Sequence, residues 1–185
     1  MKVYNKILKE SLKIVIIASI LGSIGGIAAA SVYEKIVLIL PLLILLPALT
    51  NMIGSFGSII SSHFTTELFT GKVDENWQES KAFSKLYKNI AVIAVLISIY
   101  VAVAANIISY FYGFSFDVIL LIKIIFIALL AVSLLLVLML FVSVFGGLMI
   151  FKKNEDPNNF LIPINTALGD LGGLVIFAIL VSILF

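Results

Sequence analysis

Nine residues near the end of the chain, Asn165 to Gly173, read NTALGDLGG, and the apolar run LVIFAILVSILF follows them. Asp170 is an isolated carboxylate inside a lipid-like stretch. It lies eleven residues beyond Asn159. At about 1.5 Å per residue that is roughly 16 Å, close to the middle of a hydrocarbon core about 30 Å thick. A charge at that depth costs at least about 2.5 kcal/mol, so it is kept by a partner or by water. No other apolar segment carries a charge so deep: Lys123 is near a boundary, and Glu34, Lys35 and Asp117 fall in connections. An internal salt bridge is thus excluded by inventory. Asp170 is either protonated and packed, or it faces water and cations.

The neighbours favour the wet alternative. Asn159, Pro163, Thr166, Asp170 and Gly173 are spaced four, three, four and three apart, which is one face of a helix, with Asn165, Gly169 and Gly172 beside it. An earlier apolar segment carries a matching line, Asn51, Ser55, Ser58 and Ser62, with Gly54 and Gly57 alongside. The two lines are expected to meet. Glycine and serine alone would do no more than let helices approach closely in lipid. A carboxylate within the stripe points instead to an ion path. Carboxylate, amide, hydroxyl and carbonyl form an all-oxygen set, which suits a hard cation such as Mg²⁺, with Mn²⁺ or other divalent ions as alternatives. One chain offers one such carboxylate, and two-fold dimers are the commonest oligomers. A homodimer would set two Asp170 side chains around one hydrated ion, each oxygen about 4–5 Å from the metal and the carboxylates about 8–10 Å apart. Glu155 and Asp156, next to Lys152 and Lys153, would stand at the mouth of such a path.

These residues need elements that hold them in lipid, and composition supplies them. Of 185 residues, 62% are hydrophobic and 12% charged, with mean hydropathy +1.24; a soluble domain carries about 25% charged residues. An all-α chain with five membrane spans follows, at about 12–32, 36–60, 90–110, 118–151 and 160–185. Residues 1–185 read as one unit without internal repeats, and 61–89 form a connection. Ten of twelve lysines fall at the N-terminus, between the second and third spans, or between the fourth and fifth. This places the N-terminus in the cytoplasm of a multi-pass plasma-membrane protein. Asp74 is expected to cap a surface helix from Glu75, with Trp77, Phe83, Leu86 and Tyr87 on its apolar side. A cleaved signal peptide ending at AAA before Ser31 is the competing account of the first segment. The apolar stretch is longer than such peptides carry, and Gly22, Gly26 and Ala30 recur every fourth residue as a packing face would.

The segment DPNNFLIPINTALGDLGG resembles the fifth transmembrane helix of the MgtE magnesium channels and their eukaryotic solute-carrier relatives. The shared residues are Asp156, Pro157, Pro163, Asp170 and Gly173. LPALTNMIGSFGSIISS resembles the family's second helix through Pro47, Gly54 and Gly57. The resemblance implies a homodimeric, Mg²⁺-conducting domain with a pore between the second and fifth helices of both subunits. Asp170 would take the role of the pore aspartate, and Thr166 would offer a backbone carbonyl. Ser55 departs from the family, which commonly carries Asn after the glycine. The family's large cytoplasmic regulatory domains have no counterpart in these residues.

Other classes fit less well. Aspartyl chemistry needs two carboxylates in one site and a metalloprotease paired histidines, whereas His63 is the only histidine and reads as interfacial. An enzyme is not expected. Arginine and cysteine are both absent, which argues against nucleic-acid partners and thiolate metal sites. A proton- or sodium-coupled exchanger of divalent cations is the closest alternative. A scaffold protein is the third, and it would not need Asp170.

Overall fold

The computed structural model describes residues 2–73, 77 and 80–185, without the side chains of 2–11, 13, 14 and 82. Six helices follow one another: α1 (Lys2–Ala30), α2 (Tyr33–Leu38), α3 (Leu40–Phe69), α4 (Lys81–Phe111), α5 (Val118–Phe151) and α6 (Asn158–Leu184). No strand occurs among the described residues. Four helices, α3 to α6, are long and apolar enough to cross a membrane, and a shorter apolar section of α1 spans Val15–Ala30.

The sequence explains most of the boundaries. Asp117 starts α5, its Oδ1 accepting from Ile119 N at 2.8 Å. At the start of α6, Asp156 Oδ1 accepts from Asn158 N at 2.9 Å, so this mouth carboxylate is also a helix cap. The expected second span, 36–60, is broken at Ile39, where α2 ends and α3 begins. Pro41, in the first turn of α3, is the cause: it has no N–H for Val37 O and its ring crowds that carbonyl, so α2 cannot continue into α3. The expected third span is longer than 90–110, because α4 starts at Lys81, where Ser80 Oγ accepts from Phe83 N. Asp74, Glu75 and the cap assigned to them lie outside the described residues. Trp77 packs edge-on to Phe83, and Phe83 in turn to Phe64, with ring centroids 5.2 and 5.7 Å apart.

α6 is the hub, packed against α1, α3 and α5. Two helices fix its register. α3 runs antiparallel to it, with Gly54 beside Gly169, Gly57 beside Asn165 and Ser58 beside Thr166. α1 runs parallel to it, with Gly25 against Leu171 and Ala18 near Pro163. The packing glycine of α1 is thus Gly25, not Gly22 or Gly26. A Cβ at either of the latter would meet nothing within 4 Å, and Ala30 is exposed. Spacing by four marked a face of α1, but the face that touches protein lies beside it.

The two lysines away from the basic ends both hold the C-terminal end of α6. Lys35 Nζ donates to Ser182 O at 3.2 Å, and Lys123 Nζ to Leu184 O at 2.7 Å. The Lys123 ammonium also lies 4.6 Å from the centroid of the Phe185 ring. It satisfies a carbonyl that the last helical turn leaves unpaired.

Candidate functional site

Asp170 sits about midway along α6 and is half-buried. A glycine of α3 lies beside its carboxylate, and a glycine of α1 packs on its backbone. On the α3 side, a Cβ on Gly54 would lie 4.0 Å from Asp170 Oδ1 and 3.7 Å from Thr166 Cγ2. On the α1 side, a Cβ on Gly25 would lie 3.4 Å from Asp170 O. Gly25, unlike Gly54, therefore adjoins the main chain of Asp170 and not its carboxylate. Among the described residues no hydrogen bond or ion pair engages the carboxylate, and no three His, Cys, Asp or Glu side chains converge on a common point.

The polar line of α3 opens onto the same side. Asn51, Ser55 and Ser62 are exposed and Ser58 is half-buried. Ser58 Oγ and Thr166 Oγ1 lie 3.3 Å apart, which joins the two stripes one helical turn from Asp170. Ser55 and Ser58 donate backwards, to Asn51 O at 2.8 Å and Gly54 O at 3.3 Å. Once a hydroxyl has given its hydrogen to the helix, it presents lone pairs outward. The open face is therefore rich in acceptors, as the water shell of a cation requires.

Not every residue of the stripes belongs to that face. Asn165 is fully buried: its Nδ2 donates to Ser61 Oγ at 2.8 Å and to Ser143 Oγ at 2.7 Å, tying α6 to α3 and α5. Ser61 Oγ passes its own hydrogen to Gly57 O at 2.8 Å. Asn165 Oδ1 has no partner among the described residues. Asn165, expected on the open face, is instead buried as a bolt between helices. Gly169 and Gly57 are likewise packing sites, since a Cβ at either would come within 3.0 Å of backbone atoms of Gly54 or Asn165. Gly173 is buried against Thr50 and Ile53. Pro163 lines an apolar crevice with Ile17, Ala18 and Leu21 of α1. Asn159 and Glu155 are half-buried and Asp156 exposed at the start of α6. The period of the stripe gave the correct helix sides only to within one residue, so lining and packing positions were merged.

The bolt has a measurable consequence. Asn165→Leu removes both bonds and leaves two buried hydroxyls without their donor. Interhelical bonds in lipid are worth about 0.6–1.7 kcal/mol each, so a loss of about 1–3 kcal/mol is expected. Denaturant titration of the detergent-solubilised protein will read it, with unchanged stability the contrary outcome.

A family model described as MgtE, divalent cation transporter, matches residues 46–180. No curated protein and no solved structure matches the chain. The matched region contains α4, α5 and nearly all of α3 and α6, hence both polar stripes and Asp170. An apolar helical bundle with one unpaired carboxylate at mid-span and a match over well over half its length leads to one assignment: the chain belongs to the MgtE family of divalent cation transporters.

Proposed function

We propose that the chain conducts a hydrated divalent cation, Mg²⁺ foremost, along the open face shared by α3 and α6. A second copy across a two-fold axis completes the path, in a plasma membrane with the N-terminus cytoplasmic and α1 as a fifth span. The observation that carries this reading is the setting of Asp170, a half-buried carboxylate midway along α6 with Gly54 beside it and no partner among the described residues. Left alone in lipid it would be costly to ionise. Opposite a second Asp170 it would repel its twin, and a dication between them removes both penalties.

Gly54 leaves room beside the carboxylate for an ion that keeps its water. Mg²⁺ sheds its shell reluctantly and is usually held through one or two carboxylates. Thr166 contributes its backbone carbonyl, with its hydroxyl engaged by Ser58. Ser55, Ser58, Ser62 and Asn51 accept from the outer waters as the ion moves. The parallel run of α1 and α6 and the antiparallel run of α3 and α6 support five alternating crossings.

Flux from purified protein in liposomes tests the reading. Mg²⁺ entry is expected down its own gradient, with Mn²⁺ and Co²⁺ competing and no imposed proton or sodium gradient required. Strict dependence on either gradient would replace conduction with coupled exchange. Absence of divalent flux under every gradient would remove the proposal altogether.

A further inference from the structure

α4 changes character along a single face. Lys81, Ser84, Lys85, Lys88 and Asn89 recur three and four residues apart, are all exposed, and line one open depression of about 340 Å³. Further along, the same face carries the exposed aliphatics Val92, Leu96 and Ile99. On its flank, a second hollow of about 120 Å³ lies between α4 and α5, lined by Tyr87, Ala91, Ala94 and Val95 with Val132 and Leu136. Ser98, at the far end of this hollow, has turned its hydroxyl into its own helix, donating to Ala94 O at 2.6 Å. The hollow is therefore mainly apolar, with Tyr87 and Ser133 as its other hydroxyl-bearing residues.

The dimensions suit one kind of molecule. From Tyr87 to Ser98 is eleven residues, roughly 16 Å, about half of a hydrocarbon core near 30 Å thick and so one leaflet deep. The three ammonium groups stand where the headgroups begin, and lysine serves phosphate as a mobile point charge. Among the described residues none of the three has an acidic partner. Asp74, Glu75 and Glu79 lie outside the described residues. A soluble anion would use the charges and leave the hollow idle, whereas a neutral lipid would do the reverse.

We propose that this two-part surface seats one anionic phospholipid of the lysine-bearing leaflet. Its phosphate lies among Lys81, Lys85 and Lys88, and one acyl chain lies in the hollow between α4 and α5. The site is separate from the Asp170 groove, because α4 is not among the helices packed on α6.

Native mass spectrometry of the full chain, taken from vesicles of phosphatidylcholine and phosphatidylglycerol in equal parts, tests it. The wild type is expected to retain phosphatidylglycerol in preference. Each Lys→Gln change at 81, 85 and 88 should weaken that retention about fivefold, the factor that about 1 kcal/mol per basic residue represents. Ala91→Phe fills the hollow without touching charge, and it should reduce retention of phosphatidylglycerol while leaving divalent flux intact. Equal retention of the two lipids by the wild type overturns the proposal. So does undiminished retention in the triple lysine variant or in Ala91→Phe. Displacement by glycerol phosphate at matched concentration would show a site for the anion alone and would equally overturn it.

Discussion

Asp170→Asn is expected to cut divalent flux by about fiftyfold or more, with the protein still folded. The size follows from charge. A dication about 4.5 Å from a carboxylate, at an effective dielectric constant of about 20, gains roughly 7 kcal/mol of gross attraction. Dehydration of the carboxylate returns most of this, and even a remaining third corresponds to a factor of about 50–100 in binding. Asparagine keeps the shape and the acceptor oxygen, so the loss isolates the charge. Because no bond or ion pair among the described residues depends on the carboxylate, thermal stability should stay level or rise. Flux assays paired with melting curves check both halves. Flux equal to wild type would show that the path runs elsewhere. A loss of flux matched by a loss of fold would make Asp170 structural.

The second large effect is expected at Gly169. A Cβ there would lie 3.0 Å from Gly54 N, 3.1 Å from Gly54 Cα and 3.1 Å from Met139 Cε. Side chains can turn aside from an intruding methyl, but backbone cannot. Gly169→Val must therefore drive α3 away from α6, and a cost of about 3 kcal/mol is expected, at the upper end of what overpacking inflicts. It should also abolish flux, because the same separation withdraws Gly54 from Asp170 and Ser58 from Thr166. Gly22→Ala and Gly26→Ala are the contrast: both positions face open space, and each change should stay within about 0.5 kcal/mol of wild type. Equal damage from all three would mean that α1 packs through Gly22 and Gly26 as well as through Gly25. Chemical denaturation in detergent measures the stabilities, and the liposome assay measures the flux.

These two residues also show how far the amino-acid order could be read. Asp170 stood out because the cost of burying a charge is large and one-sided, so a lone carboxylate in an apolar run is informative by itself. The long apolar helices were legible for the same reason, and the expected 118–151 coincides with the helix Val118–Phe151, whereas α1 has only the shorter apolar section Val15–Ala30. Helix sides were less so. Asn165 lies one residue before Thr166 and bolts three helices, while Thr166 borders the open face. A rotation of about 100° per residue separates those fates, and hydropathy cannot resolve it when both residues are small and polar. Gly25 went unnoticed beside Gly26 for a related reason. Repetition every four residues shows that a smooth surface exists, but a neighbour must be present to show which surface is used. The break at Ile39 was readable from Pro41, though the apolar run on either side concealed it.

Pro47 and Pro163 interrupt their helices from within, one on each of the two helices that flank the groove. Each lacks the hydrogen that the carbonyl four residues earlier would accept, so Leu43 and Asn159 lose that helical bond to their main-chain oxygens. The antiparallel run of α3 and α6 sends these oxygens to opposite ends of the groove, with Asp170 between them. On the path proposed above, a hydrated ion would pass the level of one such oxygen roughly 15 Å before the acid and of the other roughly as far beyond it, both anchored to backbone and indifferent to pH. Neither landing depends on a side chain, so sequence drift at Leu43 or Asn159 would leave both in place as long as the prolines persist.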